Sequence, residues 1–314
     1  MDHAVVAEVV RSGLVEGRHR GSVVRIDADG SVAWSVGDPD AVIYPRSCNK
    51  PIQAVAMVRG GLPLRGRLLA LATASHSGES MHLTGVREIL DDVGLDESAL
   101  RTPPSWPLDE DVRVAYIAAG GRPDPICMDC SGKHAAMLAT CVIAGWDTAS
   151  YLAPDHPLQQ LVASTFVELT GAEIAATGVD GCGAPLFATS LTGLARAFGT
   201  IAQAEEGSAG GVVAAAIRDW PEYVSGTTRD EARLLSAYPG AIAKSGAEAC
   251  YALAMRDGTT LALKIEDGGD RARPVVMAEA LRIAGYDVPG LESIGSQVLL
   301  GGGQPVGAVR AALG

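Results

Sequence analysis

The chain has 314 residues, 47% of them hydrophobic and 20% charged, a balance that supports a packed globular core rather than disorder. Its 25 basic and 37 acidic side chains leave a net charge of −12, which repels phosphate backbones and argues against nucleic-acid binding by charge. No apolar run reaches the roughly 18 residues of a membrane span, so no membrane partner is expected.

Glycine is high at 38 and Phe low at three, which predicts closely packed backbones and many turns. The opening Met1-Asp2-His3-Ala4-Val5-Val6-Ala7-Glu8 has no basic stretch, and Glu8 interrupts its apolar residues. No secretory signal is read there, and a cytoplasmic protein is expected. In that compartment the six cysteines, Cys48, Cys127, Cys130, Cys141, Cys182 and Cys250, stay reduced. Metal binding, catalysis or core packing then explain them better than disulfides.

In chain order, residues 4–10, 21–26 and 31–36 read as short strands. Ser47 to Arg59 reads as a helix, and Pro51 requires it to begin within residues 47–50. Leu68 to Ala74 is a buried apolar run that periodicity leaves open between strand and helix. Helices are predicted at Gly85–Val93, Lys133–Gly145, 157–170, 186–198 and 208–220, with a proline-rich loop at Thr102–Pro107. Ala241–Lys244, Ala249–Met255 and Leu261–Ile265 read as strands, with Asp257-Gly258 as a hairpin turn, and Gly301-Gly302-Gly303 as a further turn. Strands at both ends with helices between predict an α/β (α+β) fold, an antiparallel sheet covered by helices. One domain over 1–314 is expected, with a helical subregion around 131–235.

Five clusters carry chemistry. Ser47 and Lys50, three residues apart at a helix start, share one face. A serine hydroxyl is a poor nucleophile until a base takes its proton, and a lysine one turn away can do so when desolvated. Alone, Ser-x-x-Lys is more often a helix cap beside a solvated lysine. Ser75-His76-Ser77-Gly78-Glu79 leaves the apolar run as small polar residues that can face a cleft, or as an ordinary turn. Cys127-Met128-Asp129-Cys130-Ser131-Gly132-Lys133-His134 precedes a helix, whose N-terminus favours thiolates and whose thiols fit part of a zinc site. Asp180-Gly181-Cys182-Gly183 sets a thiol in a tight turn. Lys244-Ser245-Gly246-Ala247-Glu248 and Lys264 complete the set, Lys264 in an apolar strand where a lysine needs a partner or a path to solvent.

Taken together, Pro45-Arg46-Ser47-x-x-Lys50-Pro51, Ser75-His76-Ser77-Gly78-Glu79, Cys130-Ser131-Gly132-Lys133-His134, Asp180-Gly181-Cys182-Gly183, Lys244-Ser245-Gly246-x-Glu248 and Lys264 before Asp267-Gly268 resemble the asparaginase II family. The resemblance implies a fold like serine β-lactamases, penicillin-binding proteins and glutaminases, and hydrolysis of L-asparagine to aspartate and ammonia. It implies Ser47 with Lys50 and Ser75 with Lys264 as two catalytic pairs, Ser77 being the alternative to Ser75. It further implies a Zn2+ site of Cys130, Lys133 and Cys182, and a homodimer. Around the substrate it implies Asp180 on the α-ammonium and Cys250 nearby; Arg46, by charge, suits the α-carboxylate, with Glu79 and His134 as further substrate-binding candidates. Asp129 departs from the family pattern, which has Asn there, and adds a carboxylate that bears on metal affinity or substrate preference. A β-lactamase-like hydrolase of another amide, and a non-catalytic zinc- or thiol-binding protein built on Cys127, Cys130, Cys182 and His134, are the competing readings.

Overall fold

The computed structural model describes residues 2–314. In chain order they form strands β1 Ala4–Arg11, β2 Leu14–Ile26, β3 Val32–Val36 and β4 Val42–Ile43, then helices α1 Lys50–Arg59, α2 Gly66–Ala72, α3 Ser80–Asp91, α4 Glu110–Ala118, α5 Ser131–Ala144 and α6 Pro157–Thr170. Next come β5 Thr177–Val179, β6 Pro185–Phe187, β7 Thr189–Ser190, α7 Leu191–Ala202, α8 Ala209–Asp219, α9 Pro221–Val224 and α10 Asp230–Ala237. The chain closes with β8 Ile242–Gly246, β9 Cys250–Ala254, β10 Thr260–Ile265, α11 Arg273–Ile283, α12 Leu291–Ile294, β11 Val298–Gly301 and β12 Gln304–Ala311. These elements divide into two compact units.

The first unit holds the residues up to Cys48, Thr189–Gln203 and Arg233–Gly314. Its sheet is antiparallel throughout, in the order β11-β12-β1-β2-β10-β9-β8, with β3 also on β2. The long strand β2 serves three partners, pairing β1 through its first half and both β10 and β3 through its second. Strands β8 and β9 are buried along their whole length, which is why β9 reads as a continuous apolar run rather than an alternating one. Helices α7 and α11 pack on the sheet and close its core. The expected antiparallel sheet with covering helices is therefore present.

The second unit holds Asn49–Ala188 and Ala204–Ala232 and is mostly helical. The apolar run after Leu68 resolves as helix α2, surrounded by α3, α5, α8 and α9. A helix enclosed on all sides shows no polar stripe, and this is why its periodicity was silent. The predicted helix at 186–198 is instead strand through Ser190 and then helix, because Pro185–Phe187 pairs with β5 and the Ser190 side chain caps α7 at Gly193 N–H. The C-terminal pair β11–β12 lay outside the sequence reading. Pro305 and Gly307 interrupt the strand pattern, yet Gly307 lies so close to Val10 O that any side chain would collide with it. No helix among the described residues is long and apolar enough to cross a membrane.

One close approach fixes the helices around the site. A methyl group on Gly132, in the first turn of α5, would fall 2.6 Å from Leu71 O and 2.7 Å from Leu71 Cγ. Backbone atoms cannot yield cheaply, so Gly132→Ala is expected to lower unfolding stability by about 2 kcal/mol despite alanine's better helix propensity. Urea denaturation of the two proteins checks this; an unchanged or raised midpoint would show that α2 and α5 are not in contact there.

Candidate active site

The second unit brings three of the predicted clusters together around one buried amine. Lys50 is fully buried at the start of α1. Its Nζ donates to Ser75 Oγ at 2.9 Å and to Ala74 O at 2.5 Å, and lies 3.8 Å from Asp129 Oδ2. Burying a lysine is costly unless its protons find acceptors, and these three groups are the answer. The Ser75 segment is held from both sides: Ser75 N–H donates to Val224 O, Ser77 N–H to Ser225 O, and His76 N–H to Asp129 O. Ser77 Oγ is buried without a hydrogen-bond partner, packed where a side chain on Gly226 would strike it. Glu79 accepts from Thr227 N–H at 2.9 Å and Thr227 Oγ1 at 3.1 Å.

The cysteine cluster forms where α5 begins against the β5–β6 hairpin. Cys130 is the residue before α5, and Lys133 sits in its first turn. Cys182 rides the hairpin tip, closed by Asp180 N–H to Ala184 O and Gly183 N–H to Asp180 O, with Gly183 at φ +87°. Lys133 Nζ donates to Cys182 Sγ at 3.1 Å. The Cys130 thiol and the adjacent Lys133 pull the Cys182 thiol far down against its burial, while Cys130 itself is pushed well up, chiefly by that same hydrogen bond. Burial opposes the charge on Lys133, but the sulfurs of Cys182 and Cys130 outweigh it and keep the amine protonated. The cluster thus favours charge on Cys182 and Lys133 over charge on Cys130. Asp180 Oδ1 accepts from Gly181 N–H at 2.9 Å.

These donors suit a zinc ion. Cys182 hydrogen-bonds both Lys133 and Cys130 in a buried place, and zinc prefers such N and S donors. Among the described residues no group of three or more His, Cys, Asp and Glu side chains is set to hold a metal, so a zinc site here needs Lys133 as its third donor. The amine would have to release its proton, which a nearby dication favours.

Two histidines brace this unit. His134 Nδ1 lies 2.7 Å from Tyr151 Oη, and that hydroxyl also accepts from Arg101 N–H. His76 Nε2 meets Ser131 Oγ at 2.8 Å, Ser131 donates onward to Ile126 O, and the ring stacks on His82 at 5.3 Å. Since the Ser131 proton goes to Ile126, His76 Nε2 carries the hydrogen. Nothing in the sequence pointed to Tyr151, because its partner is reached only through the loop after α5.

The first unit carries the remaining candidates. Arg46 opens the 3-10 turn Arg46–Asn49 at φ +51°, and Ser47 in that turn is only 8% exposed. Cys48 Sγ donates to Lys244 O at 3.1 Å, and a side chain on Gly246 would fall 2.6 Å from Pro45 O. The end of β8 therefore presses directly on the turn that holds Ser47. Lys264 stands opposite Cys250 in the β10–β9 register. Its Nζ donates to Glu248 O at 2.6 Å and Ile265 O at 2.5 Å, and burial lowers its pKa. The hydrogen bond to Ser75 thus comes from Lys50, while those of Lys264 run to the turn beside it. That turn is braced by His19, which donates from Nδ1 to Asp267 Oδ2 at 2.8 Å and accepts from Arg271 Nε at 2.9 Å. Glu248, quoted in a motif but given no role from sequence, lies 3.9 Å from Arg46 Nη1. It and Ala249 have positive φ, +59° and +50°, a conformation costing roughly 1–2 kcal/mol for each residue other than glycine.

A buried amine donating to a serine hydroxyl is the arrangement by which nucleophilic hydrolases move a proton. The chain belongs to the L-asparaginase II family, whose model matches residues 7–311, and this places it among the amidohydrolases. Similar solved structures include a β-lactamase from Mycobacterium bovis, at 13% identity and TM-score 0.42 over 85% of this chain and 94% of that one. A Bacillus glutaminase matches at 12% identity and TM-score 0.40 over 85% of this chain and 91% of that one. EstCE1, a hydrolase with promiscuous acyltransferase activity, matches at 12% and 0.45 over 85% and 93%. No curated protein matches the sequence.

Burial holds the His76 pKa at about 3, against its ordinary 6.5. Between those values the unfolded chain takes up a proton that the folded chain refuses, so stability falls as pH drops below 6.5. His76 alone is expected to remove about 3 kcal/mol by pH 4. Urea midpoints at pH 7, 5.5 and 4 should fall steeply in the wild type and less steeply in His76→Gln; parallel slopes would refute the assignment.

Proposed function

We propose that the protein hydrolyses the side-chain amide of L-asparagine, releasing L-aspartate and ammonia. The observation that carries this reading is the Lys50–Ser75 hydrogen bond, inside a chain that an L-asparaginase family model matches almost from end to end. Ser47 is the nucleophile we assign, on its Ser-x-x-Lys spacing to Lys50. Its Oγ attacks the carboxamide carbon and its proton passes to Lys50. Backbone N–H groups at the start of α1 stabilise the oxyanion. Collapse of the tetrahedral intermediate expels ammonia, and Ser75, bonded to Lys50, relays the proton to the leaving nitrogen. Water then cleaves the acyl-enzyme by the reverse relay. Lys264, with its lowered pKa, is the second basic group. Cys130, Lys133 and Cys182 would hold a zinc ion, which supplies a Lewis acid able to polarise or orient a carbonyl.

Ammonia release should be measured from L-asparagine, L-glutamine and a β-aspartyl dipeptide. L-asparagine is expected to be hydrolysed fastest, and Ser47→Ala and Lys50→Met to reduce kcat by roughly 10²–10⁴-fold. A Ser47→Ala protein working near the wild-type rate would remove Ser47 as nucleophile, and a wild type inert on all three amides would sink the reading. The metal is tested separately by elemental analysis. The wild type purified with zinc is expected to hold about one ion per chain and Cys182→Ala far less, since two donors hold zinc poorly; equal content in both would remove Cys182 from the site.

A further inference from the structure

The six cysteines are buried thiols. Cys127-x-x-Cys130 has the spacing at which neighbouring thiols form a redox pair. The structure parts these two. Cys127 closes a 3-10 turn and its thiol hydrogen-bonds the Tyr116 hydroxyl. Cys130, at the start of α5, packs instead against Cys182 and Ala184, with Met128 and Leu152 around them. The Cys130 and Cys182 thiols hydrogen-bond each other, so a disulfide between them asks for a short further approach. The hairpin tip is built to allow it. Gly181 and Gly183, on either side of Cys182, are exposed, and Gly183 sits at φ +87°, so the backbone adjusts there without moving a side chain. The same tip is the layer between the Cys182 sulfur and solvent, thin enough for a reagent the size of water. Lys133 Nζ donates to Cys182 Sγ at 3.1 Å, and an ammonium beside a sulfur makes that sulfur the better nucleophile of the pair. Cys141, inside α5, shows the contrast: burial pushes its thiol up to about 11 and leaves it inert.

We propose that Cys130 and Cys182 form a peroxide modification site, closing to a reversible disulfide that takes the place of a bound metal. The Cys182 sulfur attacks one oxygen of hydrogen peroxide. The O–O bond breaks, the sulfur becomes a sulfenic acid, and the departing hydroxide leaves as water with the proton of that thiol. The Cys130 sulfur then attacks the sulfenic sulfur, the S–S bond forms, and the sulfenic hydroxyl leaves as a second water with the Cys130 proton. Two electrons pass from the two thiols to one peroxide. The product has no thiolate left to donate to zinc, so disulfide and metal exclude each other. The modification belongs to the thiol cluster and does not depend on which amide the enzyme cleaves.

The test treats the full-length wild type with hydrogen peroxide, one portion loaded with zinc and one stripped by a chelator, then alkylates the remaining thiols and maps the peptides by mass. A Cys130–Cys182 linkage, two hydrogens lighter than the free thiols, is expected in both portions. Zinc should leave the loaded portion in proportion to the linkage and bind again after dithiothreitol, while Cys48, Cys127, Cys141 and Cys250 stay alkylatable. Cys130→Ser should stop at a Cys182 sulfenic acid that dimedone traps. Lys133→Met should slow the linkage roughly tenfold. The proposal is overturned if both thiols stay alkylatable in the metal-free protein, if Cys130 links to Cys127, if Cys182 passes to sulfinic acid without linking, or if zinc stays on the linked protein. A Lys133→Met protein that links at the wild-type rate overturns Cys182 as the attacking sulfur. The metal-free portion reads the linkage by mass alone, so a chain that holds no zinc or cleaves no amide still tests it.

Discussion

The second unit is organised around the cost of burying one amine. Lys50 has no exposed surface, and an unpartnered ammonium or amine in that position would cost several kcal/mol. The chain answers by ending α2 so that Ala74 O and Ser75 Oγ point at Nζ, and by bringing Asp129 to 3.8 Å. Each answer recruits further structure. The Ser75–Ser77 backbone is fixed by Val224 and Ser225, and His76 ties it to the loop that leads into α5. Gly132 then lets α5 settle against Leu71, bringing Cys130 and Lys133 to where Cys182 arrives on its hairpin. The serine, the lysine and the thiol cluster are consequences of one set of close contacts.

Charge is handled differently in the two units. In the second, ionisable groups are deeply buried and neutralise one another over short distances, as in the Cys130–Cys182–Lys133 cluster, or stay uncharged, as His76 and His82 do because burial disfavours their protonation. In the first, the Arg46 and Glu248 side chains remain partly exposed, with positive φ at Arg46, Glu248 and Ala249, while two carbonyls take the Lys264 amine. A buried, hydrogen-bonded pair such as Lys50 and Ser75 suits proton movement, because both ends of the transfer are held in place.

The resemblance to the asparaginase II family implied two pairs, Ser47 with Lys50 and Ser75 with Lys264. The hydrogen bond to Ser75 is made by Lys50, twenty-five residues away in sequence, and Lys264 turns to Glu248 O and Ile265 O. A motif names the groups present but not the direction in which a flexible four-carbon side chain reaches. That direction depends on which acceptors the neighbouring segments offer.

Local rules determined a good part of this protein from sequence alone. Pro51 and Pro157 marked helix starts, Asp257-Gly258 marked a hairpin, and the strands at both ends carried the antiparallel sheet, because proline, turn residues and hydrophobic runs act over a few residues. The clustered Ser, Lys and Cys motifs identified the family for the same reason, each being a short loop whose chemistry is written in adjacent residues. Tertiary structure decided the rest. It made the Leu68 run a helix by surrounding it, turned Pro185–Phe187 into strand by pairing it with β5, added β12 to β1 through the side-chain-free Gly307, and chose the acceptor of each lysine. All four depend on atoms distant along the chain, and no local spacing encodes which distant surface comes to meet them.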